Sequence, residues 1–142
     1  MKIKGRFSCN VQKADGTTIC WQKDNMIVDG GYEFLLNSMF EKNNRPYPIS
    51  YIAFGSGSTA TTSNMTALEN EVIRVPAEWE WKPEQRVVSV YATITITDPI
   101  VISEAGLFNA ETGGIMFDRV TFTAKGLDET DIAEPVFDIS VI

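Results

Sequence analysis

Residues 102–123 hold two apolar segments, 102–109 and 115–123, on either side of a Glu111-Thr112-Gly113-Gly114 turn. Two such runs joined by a tight glycine turn pair antiparallel, because a parallel pair needs a crossover of a dozen or more residues. The same grammar recurs upstream. Val88, Val90, Ala92, Ile94 and Ile96 alternate with Ser89, Tyr91, Thr93, Thr95 and Thr97, the period-two pattern of a half-buried strand rich in β-branched residues. Between Val72 and Trp81, one face carries Val75, Ala77, Trp79 and Trp81, and the other carries Arg74, Pro76, Glu78 and Glu80. Pro76 cannot donate a ladder hydrogen bond, which predicts a sheet edge or a bulge there.

Further strands are predicted at 2–11, 17–23, 50–54 and 134–142. About eight short strands with turn signals between them predict a mainly β chain, an antiparallel β-sandwich or barrel, in one domain spanning 1–142. One helix is predicted near residues 30–41, where Tyr32, Leu35, Leu36, Met39 and Phe40 recur at helical spacing. Asp29 is its expected N-cap, and Asn43-Asn44-Arg45-Pro46 its stop. The polar stretch 55–64 and the segment 126–131 are expected to be exposed, flexible loops.

The chain opens with a hairpin, residues 1–24, turning at Asp15-Gly16. A two-residue turn would pair residue i with 31 − i, so that Cys9 and Cys20 become diagonal neighbours on one face, near the upper limit of bridging distance. Two free thiols are the expectation. Trp21 and Ile19 would then share the opposite face, leaving the hairpin apolar on both sides and suited to act as an assembly arm.

A 142-residue chain can bury roughly two-thirds of its extended surface in one core without metals or disulfides. The net charge of −7 argues against a phosphate-binding surface, so no nucleic-acid partner is expected. No run approaches the ~18 apolar residues that span a bilayer, and the N-terminus lacks a signal-peptide core, so synthesis in the cytoplasm and no membrane partner are expected.

The chain has no histidine, which removes the commonest general base and the usual partner of a nucleophilic serine or cysteine. No enzyme, cofactor or metal is expected. Glu104, Asp118, Asp128, Glu129 and Asp131 could form acid/base pairs or a Ca²⁺ site, but no ligand spacing joins them, and solvated charge is the preferred reading. Gly55-Ser56-Gly57 follows a strand as phosphate loops do, yet lacks the Gly-Lys-Ser/Thr ending. Trp79, Trp81 and Tyr91 could make a glycan platform, although burial in the core or in a subunit interface is preferred for the two indoles. The candidate interface is therefore Trp21, Ile19, Trp79 and Trp81. Around Glu104, Gly106, Leu107 and Phe108, the preferred reading is a strand whose Gly106 permits close backbone approach or a bulge, with Leu107 and Phe108 on opposite faces. The alternative adds a buried ion pair from Glu104 to Arg119 or to Arg74 that fixes strand register.

Four segments taken together, Asn25–Gly31, Ile52–Ser58, Leu68–Arg74 and Ile102–Phe122, resemble in order and separation the small β-rich modules of tailed-bacteriophage virions. These modules occur as tail-fibre or tail-collar N-terminal domains and as stand-alone virion proteins. The resemblance covers roughly residues 25–142. It implies a non-enzymatic structural protein of the virion, made in the host cytoplasm, whose partners are other tail, baseplate or capsid proteins. It also implies a homo-oligomer, with a trimer favoured. The 142 residues include no shaft, collagen-like repeat or heptad repeat, so a tail-fibre or baseplate adaptor is expected rather than a complete fibre. Capsid decoration or a head fibre is the alternative, and a carbohydrate-binding module is the second.

Overall fold

The computed structural model describes residues 2–142. The strands are β1 (Ile3–Gln12), β2 (Thr18–Ile27), β3 (Tyr51–Gly55), β4 (Glu71–Pro76), β5 (Glu78–Lys82), β6 (Val87–Tyr91), β7 (Ile94–Thr95), β8 (Ile100–Phe108), β9 (Met116–Leu127) and β10 (Ile132–Val141), with one helix, α1 (Asp29–Phe40). All pairings are antiparallel, in the order β4-β3-β8-β9-β2-β1-β10-β6-β5, with β7 also on β10. The sheet curls into a nearly closed barrel that is compatible with a sandwich.

Two strands turn the corners. β2 pairs with β1 along most of its length and with β9 only through Met26 and Ile27. The run 71–82 pairs with β3 before Ala77 and with β6 after it, so β4 and β5 are two halves of one bent segment. Its break falls beside Pro76, and the Ala77 N–H donates to the Ser50 carbonyl at 2.8 Å, one step beyond the Tyr51–Pro76 end of the β3–β4 ladder.

Phe7 lies at the centre of the core, stacked on Phe122 at 5.5 Å between centroids and tilted against Phe137 at 5.0 Å. Val90, Ile94, Ile96, Ile102, Leu107 and Val120 fill in around these rings. A smaller cluster of Val28, Ala53, Leu68, Phe108 and Met116 sits on the other side of β8. Leu107 therefore enters the main core while Phe108 enters the second cluster. A strand covered on both faces must be apolar nearly throughout, which is why residues 102–109 are all buried.

The N-terminal hairpin departs from its expected register. Its loop has three residues, Ala14-Asp15-Gly16, closed by the Lys13 N–H donating to the Thr17 carbonyl at 2.8 Å, with Gly16 at φ 91°. The third loop residue in the left-handed region makes this the three-residue turn that glycine favours. Residue i consequently faces 30 − i, with Cys9 opposite Trp21 and Val11 opposite Ile19. A one-residue slip exchanges the faces of a strand. Trp21 thus points inward, 5.3 Å from Phe122 and 6.3 Å from Phe7, and Ile19 sits on that inner side at the partly exposed hairpin end. The outer face is polar, with Arg6 bonded to Asp24 at 2.8 Å and to Gln22. The expected second apolar face does not exist. Cys9 is buried and Cys20 exposed, both as free thiols on opposite faces.

Helix α1 begins without a side-chain cap. Val28 is the N-cap, and Asp29, the expected cap, is the first helical residue. The helix docks through Gly31, where an added Cβ would collide with the Phe117 carbonyl, and through Phe34 and Leu35. Tyr32, Leu36, Met39 and Phe40 face solvent. Segment 126–131 is also no open loop. Asp131 accepts the Asp128 and Ala14 N–H groups at 2.8 and 3.0 Å and the Lys13 ammonium at 2.5 Å, tying the β9–β10 turn to the first hairpin.

Candidate functional site

Two features stand out on this framework: a buried ion pair that fixes a long loop, and an aromatic edge left open.

Glu104 and Arg119 lie on neighbouring strands β8 and β9, both wholly buried, with Arg119 Nε donating to Glu104 Oε1 at 2.9 Å. The remaining acceptor capacity of the carboxylate is taken by backbone. The Glu69 N–H reaches Oε1 at 2.8 Å, and the Gly57 and Asn70 N–H groups reach Oε2 at 2.7 and 2.8 Å. Arg119 Nη1 donates to the Thr59 carbonyl at 2.8 Å and the Thr61 hydroxyl at 2.9 Å. One ion pair thereby holds both ends of loop 56–70 against the sheet.

Around it, the Glu69 carboxylate accepts the Ser58 and Thr59 N–H groups, and the Ser103 hydroxyl donates to the Gly57 carbonyl at 2.7 Å. The expectation of a flexible loop at 55–64 is corrected by this network. It also explains Gly55-Ser56-Gly57. A Cβ at either glycine would sit 2.5 Å from Glu104 Oε2, so only glycine lets the backbone close over the carboxylate. At Gly106 a Cβ would lie 2.8 Å from the Asp118 carbonyl. Arg74, the other partner considered for Glu104, instead pairs with Glu71 at 2.6 Å, donates to the Ala110 and Gly113 carbonyls, and lies 3.8 Å over the Phe108 ring.

Sequence reasoning missed the acceptor role of Glu104 towards Gly57, Glu69 and Asn70. The available signal was a lone carboxylate inside an apolar strand, a group that must find donors when buried. The reading of Glu104, Asp118 and Asp131 as solvated charge is corrected, since all three are buried. Asp118 lies beside Asn25 and accepts the Leu107 N–H at 3.1 Å. Burial pushes the Asp118 carboxyl up to about 8.

At the other end of the sheet, β5 carries Trp79 and Trp81, which are 66% and 51% exposed. The core reading for these indoles fails because the strand they lie on projects from the sheet margin. Trp79 faces Val90 across the ladder and Trp81 faces Val88, whereas Tyr91 lies opposite Glu78 on the other side. The three rings therefore do not make one platform. Between β5–β6 and the segment 45–49 runs a largely apolar groove of about 390 Å³, lined by Phe34, Pro46, Pro48, Ile49, Trp79 and Val90 among others.

Asp128 and Asp131 surround Lys13, Glu104 faces Arg119, and Asp118 faces Asn25. Among the described residues no three His, Cys, Asp or Glu side chains gather in a group that could hold a metal ion. No described helix is long and apolar enough to cross a membrane.

No family model and no curated protein matches this chain.

Proposed function

We propose that this protein is a non-enzymatic structural component of a tailed-phage virion, an adaptor or attachment module of the tail fibre or baseplate that works as a homo-oligomer. The observation that carries this reading is the exposure of large apolar side chains: Trp79 and Trp81 on β5, and Tyr32, Leu36, Met39 and Phe40 along α1. Monomeric proteins seldom leave such rings in water, and exposed aromatic groups mark surfaces that partners cover. The loop that could have been mobile is instead held by Glu104 and Arg119, which suits a part that must present a fixed shape. The four-segment resemblance supplies the phage context and favours a trimer.

Protein mass spectrometry and antibody labelling of purified particles test the proposal. Label at the tail tip or baseplate in fixed copy number supports it. Regular label over the head moves the assignment to capsid decoration, and absence from particles overturns it. The two indoles could alternatively stack on a sugar, and glycan-array binding lost in Trp79→Ala would support that second reading.

A further inference from the structure

We propose that β5 is a self-complementary edge through which two copies of this chain join antiparallel, with the two-fold axis passing through Glu80. The inference goes beyond the virion assignment and does not depend on it.

β5 ends the strand order, with β6 as its only ladder partner among the described residues. The chain's own candidate to cover the free side is segment 45–49, which leads into β3. That segment contains Pro46 and Pro48, which have no N–H to offer a ladder, and the groove separates it from Trp79. The open side of β5 is thus a strand edge that the fold itself does not pair, which is a ready template for another strand.

The sequence of the strand, Glu78-Trp79-Glu80-Trp81-Lys82, selects a second copy as its occupant. A two-fold axis perpendicular to an antiparallel sheet must set one residue opposite its own copy, and of the five positions in the strand only the central three, Trp79, Glu80 and Trp81, pair three or more of its residues. With the axis on Trp79, each Glu78 faces Glu80 of the second copy and Lys82 falls opposite Pro76, outside β5. With the axis on Trp81, Trp79 falls opposite Pro83, outside the strand. With the axis on Glu80, all five residues are used. Each Glu78 then faces Lys82 of the second copy, and each Trp79 faces Trp81 of the second copy.

Opposite charges and aromatic pairs directly across a ladder are the pairings that stabilise antiparallel strands. None of Glu78, Glu80 and Lys82 forms an ion pair within the described chain, and the polar neighbour of Glu78 across the ladder is the uncharged Tyr91 hydroxyl. The four indoles would lie together on the groove side of the joined sheet, because Trp79 and Trp81 share a face with Val88 and Val90. The one unfavourable contact is Glu80 against its own copy at the axis. A single five-residue strand with two indoles per copy is at the small end of specific contacts, so the dimer forms in a concentration-dependent way. A threefold contact would have to use another surface, and the two can coexist.

The test is sedimentation velocity on the full chain over a range of concentrations, with charge exchanges at exposed positions. Wild type is expected to dimerise. Glu78→Lys and Lys82→Glu should each weaken self-association by ~10- to 30-fold, because two attractive pairs become two repulsive ones. An equimolar mixture of these two variants should restore it, since the exchanged charges at positions 78 and 82 then meet with opposite sign across the interface. Glu80→Gln should tighten the dimer. Wild type that stays monomeric at all concentrations overturns the proposal. So does a trimer indifferent to both exchanges, or single variants whose mixture shows no rescue. None of these outcomes bears on whether the protein resides in a particle.

Discussion

Arg119 Nε donates to Glu104 Oε1 at 2.9 Å between two side chains that water does not reach, and Glu104 also accepts three backbone N–H groups from a loop 34 to 47 residues away in sequence. Such a pair adds little net stability while intact, since desolvation offsets attraction, but losing one member strands a buried charge. Arg119→Met is therefore expected to destabilise the protein by ~3–5 kcal/mol in denaturant titrations. Hydrogen exchange should accelerate at the Gly57, Glu69 and Asn70 amides before it does so in β1 or β10. Uniform protection in the variant would contradict the clamp.

Gly57→Ala isolates the geometry from the charge. The added methyl would press on Glu104 Oε2, and the expected loss is ~1–3 kcal/mol, the usual scale of overpacking. A melting temperature equal to wild type would mean that the loop backbone can retreat from the carboxylate.

Two carboxyls give pH effects of opposite sign. Asp118 titrates at about 8 in the folded chain against 3.8 when unfolded, so the folded state keeps a proton that the unfolded state releases. Its contribution is present below pH 4 and is lost as pH rises towards 8. The fall should be on the order of a few kcal/mol, and Asp118→Asn should flatten it. Asp131 behaves in reverse. The hydrogen bond from Lys13 holds its carboxyl below the ordinary value, so its contribution is present above about pH 4 and disappears as pH falls further. Stability curves of wild type, Asp118→Asn and Asp131→Asn between pH 3 and 9 separate the two.

The thiols should differ in reactivity. Cys20 is exposed and should react with a maleimide in the native protein. Burial pushes the Cys9 thiol up to about 12, so it should react only on unfolding. A non-reducing gel should show no internal disulfide. Equal labelling of both cysteines under native conditions would contradict the hairpin register.

Much of the fold was legible from periodicity. The alternation at 88–96 falls on β6 and β7, the paired segments at 102–123 on β8 and β9, and the helical spacing at 30–41 on α1, although Tyr32, Leu36, Met39 and Phe40 of that spacing are exposed rather than buried. The failures came where one backbone choice controls many side chains. Asp15-Gly16 reads equally as a two-residue turn or as the end of a three-residue one, and that single residue decides whether Trp21 faces Phe122 or solvent. The flexible reading of 55–64 failed because composition registers polar residues but not the buried Glu104 and Arg119 that engage their backbone. The exposure of Trp79 followed from topology. Its alternation was read correctly, but only the strand order places β5 at the margin of the sheet.

On the virion proposal, the exposed indoles of β5 are covered in the assembled particle. The direct measurement is incorporation of a Trp79→Ser/Trp81→Ser variant, supplied in place of wild type, into purified particles after its fold has been checked by circular dichroism and thermal melting. The expected result is a normally folded protein that is missing from the particles or strongly depleted in them. A folded variant incorporated at wild-type copy number would contradict the claim.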